Sequence, residues 1–409
     1  MKLNGHQIII FGLPRLDAEI ESTNYTTARL LAKYNRVYYV ENPYTIKDYW
    51  SSKGTARYNL RKKYFSLFNT ELVETDTPGL SVIIPPVLLS INFLPEGRFF
   101  RALLSFNEYL IAFKLKRFIR KYGIDKYLYI NSFNFHYPLL ADRLKARLQV
   151  YHCLDPLVLA FERKHGCRSE DIVIAKSDIV LCSSKQLFSE KQKINPATYF
   201  VPNAADLSHS IKVLDPLLQV NSLLAGVSKP VIGYFGAIER RIDYNLLTEV
   251  IYGNPSLNFV FVGPVAEEFV PAGFTEMKNV TFTGPVPYHQ MPAMVKGFDV
   301  ALIPFKKDEF SRTIFPLKLF EYLGAGKPVV CTDFNPDLAD FTEDTVAYCS
   351  DAAEFSEAIH EALASDGTPQ RERRIAVASA NTWEKRVDEI AEIIFKGLLE
   401  KEMAEVFRN

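Results

Sequence analysis

Apolar positions along this 409-residue chain fall into two successive series in which short buried-looking runs alternate with longer helical stretches. In the first series, runs rich in Ile, Val, Leu and Tyr lie at 8–12, 37–40, 81–84, 127–130, 149–153, 179–182 and 199–201. Runs of this length, bounded by polar and turn residues, read as strands covered on both faces. Helices are predicted at 23–34, 98–122, 137–144, 169–176 and 184–191, with a long irregular stretch between 40 and 81. Strands that alternate with helices imply a parallel sheet, because each parallel pair needs a crossover. Over 206–228 no clear period survives. The alternation then restarts, with strands at 231–235, 258–262, 280–283, 300–303, 329–331 and 347–348. Helices are expected at 243–252, 289–295, 315–323, 352–364, 370–379 and 383–403.

The simplest organisation is therefore two similar α/β domains, 1–205 and 229–380, joined by a linker at 206–228 and followed by a terminal helical segment, 381–409. The length agrees, since a single core seldom grows to this size. Hydrophobic residues at 48% and charged residues at 23% are ordinary for a water-soluble globular enzyme. The net charge of zero conceals a split. Residues 1–205 hold 29 Lys and Arg against 18 Asp and Glu, a net +11 that the remainder balances at −11. Such asymmetry suggests that the first half faces something anionic. Five cysteines with no CxxC pair suit a reducing compartment. The first residues run directly into a strand, too short for a signal peptide, and the longest apolar stretch, 82–94, is broken by Pro85, Pro86, Ser90 and Asn92. A cytoplasmic location is expected.

The most informative segment is 313–330, TIFPLKLFEYLGAGKPVV. Pro316 suits a first helical turn, where its missing N–H costs nothing. Leu317, Phe320 and Leu323 share one face and should pack inward. Gly324 and Gly326 end the helix, Pro328 blocks its continuation, and 329–331 restarts as strand. The unpaired N–H groups at such a helix start form an anion site. Glu321, flanked by apolar residues, offers a carboxylate that can accept two hydrogen bonds from a ribose diol. Together these parts suit a nucleoside diphosphate, although Glu321 placed three residues after Lys318 could also be a simple helical ion pair.

This stretch resembles the donor site of retaining glycosyltransferases of GT-B architecture, especially the large family 4 group, including those that build bacterial surface polysaccharides. The resemblance implies two Rossmann-like domains facing each other across a cleft, with donor contacts from Glu321, Phe315, Pro316 and Leu317. Thr313 stands where a second glutamate is usual. The terminal helix, opened by Thr382, Trp383 and Glu384, resembles the segment that crosses back onto the first domain.

The second domain opens with a strand that ends at Gly236 and leads to a helix, so backbone amides should gather at the carboxyl edge of the sheet, where α/β folds take ligands. In the family this turn supplies an arginine and then a lysine; here Ala237 replaces the former and Arg241 falls at the lysine position. Arg241 is the first candidate to neutralise a departing diphosphate, unless Arg240 and Arg241 are a solvated pair beside Asp243, and Lys318 is the second. The segment 281–288, including Val286, resembles the loop whose backbone reads the nucleobase, although Gly-Pro-x-Pro is first of all a turn.

In the first domain, His152 and Asp155 lie at a strand's end and are candidates to orient an incoming hydroxyl, with a buried structural histidine as the rival explanation of His152. The loop from Gly12 to Glu21 belongs to the same acceptor side, with Gly12 permitting close approach of sugar or phosphate. Asn203, followed by Ala204 where the family has glycine, suits a hinge. Residues 49–68 interleave Lys53, Arg57, Arg61, Lys62 and Lys63 with Tyr49, Trp50, Tyr58, Tyr64, Phe65 and Phe68. That mixture fits an anionic membrane surface or single-stranded nucleic acid; with no nucleic-acid fold signature, the membrane is preferred.

There is no Asp-x-Asp and no zinc-type spacing, so a metal-free site is expected. The chain is thus expected to be a peripheral enzyme of the membrane's inner face. It moves a hexose, with retention, from a nucleotide sugar, UDP-sugar favoured, to a glycan or lipid-linked acceptor, with no other cofactor. A nucleotide-sugar epimerase of the same architecture and a non-catalytic nucleotide-sugar binder are the rivals.

Overall fold

A computed structural model describes residues 3–15, 17, 22–157 and 160–407. Two compact units emerge, one formed by Met1–Pro202 with Arg386–Asn409 and the other by Asn203–Lys385.

The first unit contains strands β1 (Gln7–Gly12), β2 (Arg36–Val40), β3 (Val73–Glu74), β4 (Leu80–Ile83), β5 (Tyr127–Ser132), β6 (Leu148–Cys153), β7 (Ile179–Cys182) and β8 (Thr198–Phe200). They form one sheet in the order β3-β4-β2-β1-β5-β6-β7-β8, parallel except for the short β3 hairpin partner of β4. Ile9 and Phe11 of β1 pack with Phe100, Leu104, Ile111, Leu115 and Phe118, which are the inward stripe of the 24-residue helix Arg98–Lys121. Another cluster of this unit joins Tyr151, Cys153, Val180 and Cys182 to Ile174 and Leu187. In the terminal helix Trp383–Val406, Lys401 pairs with Asp178 at 2.7 Å, which holds the chain's end against the residue just before β7.

The second unit contains β9 (Val231–Phe235), β10 (Asn258–Val262), β11 (Val280–Gly284), β12 (Val300–Ile303), β13 (Val329–Thr332) and β14 (Val346–Cys349). Their order is β11-β10-β9-β12-β13-β14, all parallel. The strand order reverses between β9 and β12. In open α/β sheets that reversal leaves a crevice outside the carboxyl ends of the strands, where ligands bind. Here those ends are Phe235–Gly236 and Pro304–Phe305, and Ile242 bridges to Phe305 across the gap.

The stretch expected to be irregular between β2 and β4 holds two short helices, Ile46–Ser52 and Ala56–Arg61. Both start on threonine caps: Thr45 accepts from the Asp48 N–H at 3.3 Å and Thr55 from the Tyr58 N–H at 3.2 Å. For the first helix the overlooked signal was a capping box, Thr45 followed three residues later by Asp48. The helix expected at 169–176 begins much earlier and runs Ala160–Lys176.

The basic character expected of 49–68 needs one correction. Arg61 does not face solvent: it is buried, with Nε 2.8 Å from Glu41 Oε2 and Nη2 2.5 Å from Asp17 Oδ1. A guanidinium can be buried when two carboxylates satisfy its fork. Tyr64 is buried as well, whereas Lys53, Arg57, Lys62 and Lys63 stay exposed.

Candidate functional site

The floor of the site is backbone. Gly236, just past β9, has φ +142°, and a Cβ there would stand 2.4 Å from Lys318 Nζ. Gly263, just past β10, has φ +148°, and its Cβ would fall 2.0 Å from the Gly236 carbonyl oxygen. The Gly236 N–H donates to Val262 O at 2.8 Å and the Gly263 N–H to Gly284 O at 3.0 Å. Three neighbouring strands therefore end on glycines that bring their chains together at one edge, a packing only a residue without a side chain permits. Gly263 was not singled out from sequence; the Val262-Gly263-Pro264 triplet after a strand was its signal.

The helix Leu317–Gly324 stands over this edge. Pro316 is its N-cap in extended conformation (φ −75°, ψ 124°) rather than part of the first turn, and the Leu319 N–H donates back to Pro316 O at 3.2 Å. The buried face is Leu319, Phe320, Tyr322 and Leu323. Leu317, expected to share it, is half-buried, because tertiary packing rotates the stripe by one position toward Tyr322. The Phe235 N–H donates to the Tyr322 hydroxyl at 2.7 Å, which locks the helix to the end of β9.

Lys318 Nζ donates to the Tyr234 hydroxyl at 2.8 Å and lies 4.0 Å above the Tyr234 ring. That hydroxyl in turn donates to Ala237 O at 2.9 Å. Burial lowers the Lys318 pKa to about 7, Arg241 adds to the depression, and Glu321 and Glu239 oppose it. The ammonium is thus poised to gain from an incoming anion. Arg241 pairs with Glu239 and is partly exposed, while Arg240 lies 5.0 Å from the Phe310 ring centre. Asp243 caps the following helix, accepting from the Leu246 N–H at 3.1 Å.

Glu321 is half-buried, and its Oε1 accepts from the Tyr288 hydroxyl at 2.7 Å. Tyr288 closes the loop that follows β11, and its ring stacks on His209 at 4.4 Å between centroids. His209 Nε2 donates to Tyr288 O at 2.7 Å. The expected nucleobase loop and the expected ribose carboxylate are therefore one hydrogen-bonded unit. Tyr288 as a site residue and His209 behind it were not foreseen, since only folding brings 209, 288 and 321 together. Val286 is half-buried and packs on the core of this unit.

Thr313 and Phe315 are buried. Thr313 Oγ1 donates to Phe310 O at 2.7 Å. The Phe315 ring lies 5.6 Å from Phe320 and 5.3 Å from Phe341, and its carbonyl accepts from Asn203 Nδ2 at 3.4 Å. Their side chains serve the core.

In the first unit, a Cβ at Gly12 would meet the Tyr39 hydroxyl at 2.2 Å, so this glycine makes room for tyrosine. Of the loop expected to follow it, Leu16 and 18–21 lie outside the described residues. His152 is buried within β6, and burial holds its pKa down to about 4, which makes the ring neutral and a weak base. Asp155, just beyond the strand, is exposed. A cavity of about 140 Å³, unpredicted from sequence, opens at the carboxyl ends of β2 and β5, lined in part by Asp48, Asn107, His136, Tyr137, His165 and Ser169. His165 stacks on Phe100 at 3.7 Å and its Nδ1 lies 2.9 Å from Glu96.

Residues 229–365 match the family of Glycosyl transferases group 1. A curated relative, the putative teichuronic acid biosynthesis glycosyltransferase TuaH of Bacillus subtilis strain 168, is 29% identical over 214 residues, 48% of this chain and 53% of its own. The match thus spans about half the length of that relative. Among solved structures, sucrose-phosphate synthase of Thermosynechococcus elongatus superposes with a TM-score of 0.64 at 15% identity, over 97% of this chain and 99% of its own. HepE of Anabaena, solved in complex with UDP, gives 0.60 at 13% identity over 95% and 100%. At these identities the structures speak for the fold alone, which is GT-B.

Proposed function

We propose, for a chain that belongs to the group 1 glycosyltransferases and has the GT-B fold, that it transfers a hexose from a nucleotide sugar to a hydroxyl of a glycan or lipid-linked glycan, retaining the anomeric configuration. The observation that carries this reading is the meeting of Gly236, Lys318, Arg241 and Glu321 at the carboxyl edge where the second sheet reverses its strand order. Glu321 takes the ribose diol, and the loop with Val286 and Tyr288 takes the base. The main chain at Thr313, Phe315, Pro316 and Leu317 approaches the donor. Lys318 and Arg241 neutralise the diphosphate as its bond to the anomeric carbon breaks and the acceptor oxygen takes its place. Such stabilisation of developing charge is a major source of rate.

UDP is favoured as the nucleotide part, supported by the HepE complex. The name of the Bacillus relative supports an acceptor in cell-surface polysaccharide synthesis. The acceptor side is assigned to the basic first unit. There Asp155 is the exposed candidate to hold the hydroxyl, His152 its buried neighbour, and Gly12 lies at the end of β1. No metal is required in this scheme, since the two cations and a helix start meet the diphosphate. The enzyme works at the cytoplasmic face of the membrane, attracted by the first unit's net positive charge.

The test is a thermal-shift panel of UDP-, GDP- and ADP-sugars on wild type and Glu321→Ala, followed by nucleoside diphosphate release with and without acceptor lipid extract. Stabilisation of wild type but not the variant, and release that requires acceptor, is the expected result. No stabilisation by any nucleotide sugar overturns the donor site, and acceptor-independent sugar rearrangement favours the epimerase.

A further inference from the structure

Resting on the reading of the first unit as membrane-facing, we propose that the outward face of the Arg98–Lys121 helix, with Phe68 beside it, seats the protein on an anionic lipid bilayer. The inward stripe of this helix is accounted for by the core. Its opposite face is also apolar over the first four turns. Phe99, Phe106 and Tyr109 remain 67%, 48% and 53% exposed, with the half-buried Phe113 continuing the line. At 100° per residue, positions 99, 106, 109, 113, 117 and 120 fall within one sector about 80° wide. Single exposed apolar residues need no explanation, but a row of aromatics along one helix does.

The last two turns of the same face change to Lys116, Arg117, Arg120 and Lys121, of which all four are exposed. The helix's sole acidic residue, Glu108, is buried, where its Oε1 accepts from the Leu139 N–H at 2.6 Å. The exposed face is therefore aromatic at one end, cationic at the other and free of carboxylates.

Phe68, 66% exposed, extends the patch sideways: its ring lies 6.2 Å from Phe113, and the Arg117 guanidinium sits 5.1 Å over it. Trp50 with Lys53 at 4.9 Å repeats the aromatic–cation pairing. Aromatic rings lodge at the headgroup boundary while long basic side chains reach the phosphates, so the charge and the shape complement the same surface. Among the described residues no helix is long and apolar enough to cross a membrane.

The experiment is flotation of the full chain with vesicles of phosphatidylcholine alone or with 30% phosphatidylglycerol (about a third anionic, as suits a surface-potential test). Wild type should float with the anionic vesicles and not the neutral ones. Phe99→Ser with Phe106→Ser should lower the partition coefficient about tenfold or more, as should Arg117→Glu with Arg120→Glu. These positions are solvent-exposed, and unchanged circular dichroism and melting confirm the fold. Wild type that ignores anionic vesicles overturns the membrane reading and this inference together. Wild type that floats while both double variants float equally, and Lys53→Glu/Lys62→Glu/Lys63→Glu does not, overturns the helix assignment alone. A wild-type dimer that becomes monomeric in Phe99→Ser/Phe106→Ser, with flotation unchanged, identifies a self-association face instead and also overturns it.

Discussion

The Tyr288 hydroxyl donates to the Glu321 carboxylate at 2.7 Å, joining the loop after β11 to the helix Leu317–Gly324. The contact fixes one oxygen of the carboxylate, and the stacked His209 fixes the tyrosine. A hydrogen bond to a charged group is worth about 1.5–3 kcal/mol. Tyr288→Phe should therefore weaken nucleoside diphosphate binding about tenfold or more, and Glu321→Ala at least as much. Isothermal titration with UDP measures both, and unchanged affinity in Tyr288→Phe would show that the contact does not position the carboxylate.

Gly236 has no room for a side chain. At φ +142°, alanine is strained, and its Cβ would collide with Lys318 Nζ at 2.4 Å. Gly236→Ala should cost about 1–3 kcal/mol of stability, measured by urea unfolding. It should also abolish most of the nucleotide-induced rise in Tm, because Lys318 has to leave its place over Tyr234.

Lys318 links binding to pH. With its pKa lowered to about 7 by burial, the free enzyme loses this cation as pH rises through neutrality. A bound diphosphate favours the charged form, so affinity for UDP should fall between pH 6.5 and 8.5, and Lys318→Gln should flatten that part of the profile. Stability has its own dependence. The unfolded chain holds the lysine proton up to its ordinary value near 10.5, so the contribution of this group to stability rises with pH from about 7 upward and is unfavourable below it. Lys318→Met should remove that rise in denaturant titrations.

His152 acts in the opposite range. Burial holds its folded pKa at about 4 against 6.5 for the free side chain. The neutral ring is accommodated fully above pH 6.5, and stability is lost as pH falls from there toward 4, by on the order of 3 kcal/mol at most. His152→Leu should shrink the difference between denaturation midpoints at pH 7.5 and 4.5. A kcat that survives this change would leave Asp155 as the acceptor-side group.

Arg61 anchors the segment that follows β2. It is buried against Glu41, itself buried, and Asp17. Removing one partner of such a pair leaves an uncompensated charge and costs about 3–5 kcal/mol. Arg61→Ala should show this loss, whereas Lys62→Ala and Lys63→Ala should change stability by less than about 0.5 kcal/mol.

The amino-acid sequence by itself determined the two α/β halves, most strand positions, and the helix with Glu321 between Pro316 and paired glycines. Those features rest on local rules: apolar runs long enough for a strand, capping, and the conformational freedom of glycine. Folding alone decided which side chains meet. Arg61 looked like one more surface cation, yet carboxylates 20 and 44 residues away in sequence permit its burial. Leu317 lay on the predicted inward stripe, yet it is only half-buried, whereas Tyr322, which accepts from the Phe235 N–H, is buried. The partnership of His209, Tyr288 and Glu321, and the aromatic row on the outward face of Arg98–Lys121, likewise depend on contacts between distant segments. Periodicity marks that a helix has an apolar side; it takes the neighbouring sheet to show which side is covered and which is left to face something else.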